Sequence, residues 1–296
     1  WKVESEKKAK VLIDAGYDDD WRGEAYHTVS GQNSNNSVRV YDEFMQAVAD
    51  KGKYWTKFRT TGEKFEEMNA QDLFDDICKA AWSCADPGLQ FDTTINNWHT
   101  CPNSARINGS NPCSEYMFVD NSACNLASLN LVKFLNEDGT IDLAGMRHAS
   151  RIFIIAQEIL VDLSAYPTQE IAQNSHDFRT LGLGYANLGT LLMMLGVPYD
   201  SDEGRSIAAA VTAIMHCHAY GVSAEIAGQI GTFAEFEKNR VPMLKVMKKH
   251  QKAAHRISKK FCPKDLYQAA CEDADKMVEL GEKHGYRNSQ VTVLAP

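Results

Sequence analysis

Between Leu89 and Leu131 the chain passes through a long stretch with few helix signals, dense in Asn, Ser, Cys and Pro. So long a run without strong helical pattern is uncommon in a compact domain unless it carries function, and function is expected there. On either side, segments rich in helix formers alternate with short apolar runs bounded by Gly, Asn or Pro, which is the pattern of an α/β protein. There is no internal repeat and no low-complexity linker. With 296 residues, 44% of them hydrophobic, the chain has enough apolar side chain for one large or two ordinary domains.

The periodicities place the elements. Residues 2 to 15 read as a charged amphipathic helix ending at Gly16. Ser37–Val40 reads as a strand feeding a helix from about Asp42, with Asp42 as its cap and Phe44, Met45 and Val48 on one face. Tyr54 to Lys64 alternates as a hairpin turning near Thr61-Gly62. Asn69 caps the next helix, whose apolar positions are Leu73, Ile77, Ala80 and Ala81, and Asp86-Pro87-Gly88 ends it. Asp142 begins the clearest helix. Its apolar stripe of Leu143, Met146, Ile152, Phe153, Ala156, Ile159, Leu160 and Leu163 marks it as a packing helix, terminated by Pro167. Thr180 to Gly196 reads as a strand passing into a helix with Leu188, Leu191, Leu192 and Leu195 inward. Helical patterns fill Ser201 to Gly228 and most of 238–285, and Gln290 to Leu294 reads as a buried strand.

Charge and composition exclude several classes. A net charge of −8 argues against non-specific binding of nucleic acid, which needs a basic face to displace counterions from phosphates. The one basic run, Lys245 to Lys260, reads as a solvated helix face. No run approaches the roughly 18 apolar residues that span a bilayer, and the N-terminus lacks the apolar core of a signal peptide, so no membrane association is expected. The eight cysteines are scattered through a chain too large to need disulfide staples, which suits a reducing cytoplasm. Most should be buried hydrophobes, Cys78 and Cys84 among them. His216-Cys217-His218 cannot easily chelate one ion, because adjacent helical residues point apart, and His99 with Cys101 lacks further ligands, so no metal is expected. Gly182-x-Gly184 lacks the third glycine and the distant acidic residue of a dinucleotide fingerprint; close strand-to-helix packing explains it better.

The chemistry-bearing residues lie in Asn111-Pro112-Cys113-Ser114-Glu115 and at Cys124. A cysteine and a carboxylate at i and i+2 fall on the same side of an extended segment and can address neighbouring atoms of one small substrate. Pro112 keeps that segment from being a helix interior. Taken alone, Cys-x-Glu reads equally as a thiol beside a surface carboxylate, Asn111 as the start of a turn, and Cys124 as a core thiol.

These residues resemble the active-site strand of ribonucleotide reductases, and the wording around them is similar to the long adenosylcobalamin-dependent, class II members. Gly23-Glu24-Ala25-Tyr26, Ser30 to Arg39, Asp92-Thr93-Thr94-Ile95-Asn96, Trp98-His99-Thr100-Cys101-Pro102, Arg179 to Gly189 and Glu282 to Asn288 resemble that family in the same order. The resemblance implies a ten-stranded α/β barrel, of which residues 1–296 would be the central portion, incomplete at both ends; a first residue of Trp rather than Met agrees with a piece of a longer chain. It implies Cys113 as the thiyl radical that takes the ribose 3′ hydrogen, Glu115 as the base for the 3′ hydroxyl, and Asn111 with Ser110 as substrate-binding groups. Cys124, eleven residues after Cys113 as in class II enzymes, would be half of the redox pair, its partner lying upstream of this chain. Adenosylcobalamin as cofactor, a ribonucleotide (a diphosphate) as substrate, a thioredoxin-type or C-terminal dithiol as reductant, and a homodimer of the full-length enzyme are implied in the same way. The alternatives are a catalytic-subunit fragment of a class I reductase and a non-catalytic remnant or piece of a split enzyme.

Overall fold

The structure is a computed structural model that describes residues 1–29, 31 and 34–295. Ser30, Gln32 and Asn33 of the Ser30 to Arg39 motif, and Pro296, lie outside the described residues. The chain forms two units, 1–97 and 98–296.

In the first unit the order is α1 (Lys2–Asp14), α2 (Glu24–His27), β1 (Ser37–Val40), α3 (Asp42–Ala49), β2 (Lys53–Lys57), β3 (Lys64–Asn69), α4 (Ala70–Cys84), β4 (Gly88–Phe91) and α5 (Asp92–Asn97). β1 pairs with β4 in parallel, and β2 with β3 as the antiparallel hairpin expected around Gly62. The Asn69 side chain caps α4, accepting from the backbone amides of Gln71 and Asp72. Asp42 is not a cap. Tyr41 holds that position, and the Asp42 amide donates instead to the Thr93 hydroxyl at 3.2 Å. A small core of Val40, Phe44, Val48 and Ala70 closes the unit. Cys78 is exposed, because the α4 face carrying it looks away from that core.

The second unit runs through β5 (Asn125–Asn130), a 3₁₀ turn (Leu131–Phe134), α6 (Leu143–Leu163), α7 (Gln169–Phe178), β6 (Leu181–Ala186), α8 (Leu188–Met194), α9 (Asp202–Ile230), α10 (Phe236–His255) and α11 (Lys264–His284). β5 and β6 pair in parallel from Asn125 opposite Leu181 to Asn130 opposite Ala186. Residues 290–293 run along the other side of β6, with the Leu181 amide donating to Gln290 O, Leu183 to Val291 O, and Val293 back to Leu183 O. Gly182 and Gly184 serve this strand contact rather than strand-to-helix packing. A Cβ on Gly184 would sit 2.4 Å from Val293 O, and one on Gly182 2.6 Å from a Leu126 methyl. Of the ten-stranded barrel, no closed ring is seen among the described residues: the strands pair as β1 with β4, β2 with β3 and β5 with β6, and the 290–293 run adds only a third, partial strand beside β6.

α9 is long and apolar enough to cross a membrane by length and composition, against the expectation from the sequence. However, 67% of its apolar window is buried within the fold, where Ile207, Val211, Ile214 and Met215 join the main core. It is a core helix. The basic run lies on the last turns of α10 and in the turn after it, with its lysines mostly exposed, and Lys248 pairs with Glu282 at 2.6 Å.

α6 reverses the expected orientation. Met146 is buried as expected, but Ile152, Phe153, Ile159, Leu160 and Leu163 are exposed, and the inward face carries Ser150, Ile154, Gln157, Glu158 and Val161. The polar members of that face each meet a partner. Gln157 and Asn125 exchange two side chain to backbone hydrogen bonds, at 2.9 and 3.0 Å. Glu158 Oε1 accepts from Arg179 Nε and Arg287 Nε, each at 2.6 Å, while Oε2 accepts from Asn288 Nδ2 at 2.6 Å. Arg179 turns its other two nitrogens onto Asp162, at 2.8 and 2.9 Å. That guanidinium holds the Asp162 carboxyl below the usual carboxylate range.

Removing Glu158 would leave two guanidinium groups short of their counter-charge inside the fold. Glu158→Ala is therefore expected to destabilise the protein by about 3–5 kcal/mol, read as a lower denaturation midpoint; a midpoint unchanged from the parent would contradict the assignment.

Candidate active site

Asn111 to Ser114 form a turn rather than the extended segment expected from the sequence. The Ser114 amide donates to Asn111 O at 3.0 Å, and Ser114 takes a left-handed conformation with φ of 62°. Asn before Pro favours turn initiation, and an accepting carbonyl three residues back closes it. The i and i+2 argument for Cys113 and Glu115 therefore does not apply. Cys113 sits exposed on the turn, whereas Glu115 is half-buried beyond it.

The two substrate-binding candidates, Ser110 and Asn111, share a wall of one cavity of about 290 Å³ with Tyr116, Phe118 and Ser122. Ser110 Oγ lies 2.8 Å from Asn111 O and 3.1 Å from Ser114 Oγ. The Asn111 carboxamide oxygen is occupied, accepting from the Tyr116 amide at 2.9 Å. Its NH₂ is the end left to donate to a ligand.

The Glu115 charge is felt at Cys124. Burial, and then the Glu115 charge, push the Cys124 thiol up to about 11. Glu115 Oε2 is itself buried with no hydrogen-bond partner among the described residues. A carboxylate with an uncommitted oxygen is suited to receive a proton, and a half-buried thiol that keeps its proton is suited to give up a hydrogen rather than to act as a thiolate nucleophile. Because the folded state binds the Cys124 proton more tightly than an ordinary thiol does, its contribution to stability is present below the ordinary thiol range. That contribution is lost as pH rises through about 11.

Sequence reasoning missed Tyr116 and Thr180. The Tyr116 hydroxyl lies 3.0 Å from Ser122 Oγ and 3.3 Å from Thr180 Oγ1. Thr180 Oγ1 donates to Ala123 O, next to Cys124. Burial raises the Tyr116 hydroxyl well above the ordinary phenol range. Their only signal in the sequence is position: Tyr116 directly follows Glu115, and Thr180 directly precedes the β6 run. Cys101 and His99 are also buried nearby in sequence, with His99 Nε2 donating to Ala105 O at 2.9 Å and Nδ1 accepting from the Cys101 amide at 3.3 Å. Burial takes the His99 imidazole down to about 4 and the Cys101 thiol up to about 12.

A larger cavity of about 380 Å³ lies between α9 and α10, lined by five alanines, His216 and His250. It shares no lining residue with the Asn111 cavity.

Residues 19–296 match the family model described as the barrel domain of ribonucleotide reductase. Over 293 residues the chain is 51% identical to the vitamin B12-dependent ribonucleotide reductase of Rhodopirellula baltica, covering 98% of this chain and 28% of that protein. It is 50% identical to the protein of that name from Agrobacterium fabrum, covering 95% of this chain and 23% of the relative. A relative from Mycobacterium tuberculosis named vitamin B12-dependent ribonucleoside-diphosphate reductase is 35% identical over 206 residues, 70% of this chain and 30% of its own. The chain thus spans less than a third of the length of these relatives.

If Glu115 raises the Cys124 thiol, Glu115→Gln lowers it toward the value set by burial alone. Alkylation of Cys124 by iodoacetamide at about pH 8 is then expected to be faster in the variant, since the thiolate reacts. Peptide mass spectrometry reads the rate, and an unchanged rate would show that the two groups are uncoupled.

Proposed function

The chain belongs to the ribonucleotide reductase barrel family, and we propose that it carries the radical and reducing residues of a vitamin B12-dependent enzyme that converts ribonucleotides to 2′-deoxyribonucleotides for DNA synthesis. Both units, 1–97 and 98–296, are read as parts of one catalytic barrel domain of a longer protein. The observation that most supports the reading is the cavity walled by Ser110 and Asn111 next to the turn that presents Cys113, together with the reach of the Glu115 charge to Cys124. The names of the relatives favour this over a class I subunit.

In this reading the Cys113 sulfur, as a thiyl radical, takes the hydrogen from the ribose 3′ carbon. Glu115 draws the proton from the 3′ hydroxyl, which eases departure of the 2′ hydroxyl as water. Cys124 and a second thiol together supply two protons and two electrons, leaving a disulfide, and Cys113 returns the hydrogen it took. The Asn111 NH₂ donates to a ribose oxygen and Ser110 lies beside it. A thioredoxin-type or C-terminal dithiol restores the pair by thiol exchange.

Adenosylcobalamin supplies, when bound, the homolysis that starts the radical. The exposure of Cys113 fits a radical that arrives from outside the turn, while the cavity of about 290 Å³ is far too small for a corrin ring. Cys113 would be the residue of this chain to receive the radical, and no residue is assigned to hold the group. The diphosphate is the favoured substrate, in line with the name of the Mycobacterium tuberculosis relative. The functional unit is proposed to be a homodimer.

The test uses the full-length protein. Cys113→Ser is expected to abolish formation of deoxynucleotide from ribonucleoside diphosphate, and Glu115→Gln to slow it by about 10²–10⁴-fold, the usual worth of a general base. Turnover retained by Cys113→Ser would overturn the radical assignment; normal turnover by Glu115→Gln would overturn the base.

A further inference from the structure

We infer that Tyr116 and Thr180 form a hydroxyl brace that fixes the Cys124 segment against the Cys113 turn, so that both are positioning residues for the reaction proposed above. The inference rests on that reading for its catalytic consequence only.

The brace follows from proton accounting. Ser122 Oγ donates to Val119 O, and Thr180 Oγ1 donates to Ala123 O. Each hydroxyl has one proton, and both are spent on carbonyls, so toward Tyr116 each can only accept. The Tyr116 O–H is therefore the donor shared between them, 3.0 Å from Ser122 and 3.3 Å from Thr180. At its other end Tyr116 donates its amide to Asn111 Oδ1 at 2.9 Å. One residue thus holds the substrate-facing carboxamide through its backbone and the Cys124 segment through its side chain.

Thr180 is 2% exposed, and its neighbours on both sides are held. Arg179 is fixed by Glu158 and Asp162, and Leu181 begins the register of β6 with β5. The Thr180 to Ala123 bond extends that register by one side chain, to the residue adjoining Cys124. Backbone pairing begins only at Asn125, so the position of Cys124 depends on this bond and on its neighbour's contacts.

The arrangement also keeps Tyr116 out of the redox chemistry. To give up an electron a phenol must pass its proton to a base, and both partners of its O–H are hydroxyls already donating elsewhere. Tyr116 stays a protonated strut three residues from Cys113.

Thr180→Val, which removes the hydroxyl but keeps the shape, and Thr180→Ser, which restores it, are compared in the full-length protein with Tyr116→Phe. In Thr180→Val and Tyr116→Phe, alkylation of Cys124 by iodoacetamide is expected to rise about fivefold as the thiol loosens from its enclosed position. With a ribonucleoside diphosphate, kcat is expected to fall about tenfold with KM unchanged, since Thr180 does not line the Asn111 cavity and the Tyr116 hydroxyl is spent on Ser122 and Thr180. Thr180→Ser should return both toward the parent. Cys124 alkylation and kcat within twofold of the parent in Tyr116→Phe would overturn the brace, as would a fall in kcat that Thr180→Ser fails to rescue. Should Thr180→Val fail to fold, Tyr116→Phe decides by the same readouts. If the parent protein makes no deoxynucleotide, the reductase reading fails by itself, and the alkylation rates still decide the brace.

Discussion

The Glu158 carboxylate is the fixed point of the second unit. It is 5% exposed, and it gathers Arg179, Arg287 and Asn288 from separate parts of the chain. A buried carboxylate that accepts from two guanidinium groups and an amide has its desolvation offset only while all three stay in place. Arg179 precedes β6, and Arg287 and Asn288 precede the run along its far edge. Both strands therefore enter the sheet from positions set by one charge on α6. Ser223 of α9 adds a second hold on the same corner, donating to Asn288 Oδ1 at 2.8 Å while accepting from the Asn288 amide.

From that corner the constraint passes to the site. With Arg179 held, Thr180 faces Ala123 and Tyr116, and β6 presents its register to β5, which starts just after Cys124. Gln157, one residue before Glu158, anchors Asn125 on the opposite side. Gln290 reaches Met117 O at 2.8 Å, tying the third strand run to the chain leaving the Cys113 turn. Loop residues that would otherwise sample many conformations are thus tethered at Ala123, Asn125, Tyr116 and Met117. Placing reactive side chains on loops fastened to a rigid sheet and helix layer is how precision of geometry is reached without a regular element at the reacting atoms.

Much of this was legible in the sequence where one periodicity dominated. α1, β1, the hairpin around Gly62, the Asn69 cap and the long helices α9 to α11 follow from residue spacing and cap chemistry. α6 failed because the argument assumed that the most apolar face is the buried one. Gln157 and Glu158 are buried because each finds a partner far away in sequence, 32 residues for Asn125 and 129 for Arg287, and nothing local announces such a partner. The exposed Ile152, Phe153 and Leu163 are the other side of the same error. The candidate site residues stood out as a set because the motif surrounding them is long. Their conformation was not legible, because Asn111-Pro112 is compatible with both an extended segment and a turn until the Ser114 amide finds Asn111 O. Tyr116 and Thr180 escaped for a related reason: a hydroxyl in a strand-flanking position looks like any other until its acceptor is known.

The distribution of uncommitted acceptors bears on how such a site would divide its labour. Around the cysteines, Asn111 Oδ1 is taken by the Tyr116 amide, Ser122 and Thr180 accept the tyrosine proton, and the Ala123 and Val119 carbonyls accept from those hydroxyls. Glu115 Oε2 is buried and has no partner among the described residues. A buried carboxylate oxygen left without a donor is costly, and the cost is recovered only when a proton or a donor group arrives. In the proposed reaction that donor is the ribose 3′ hydroxyl. The hydroxyls whose protons are already spent give the phenol no base to ionise against. In that proposed reaction, proton transfer would be confined to the carboxylate and hydrogen transfer left to Cys113 and Cys124.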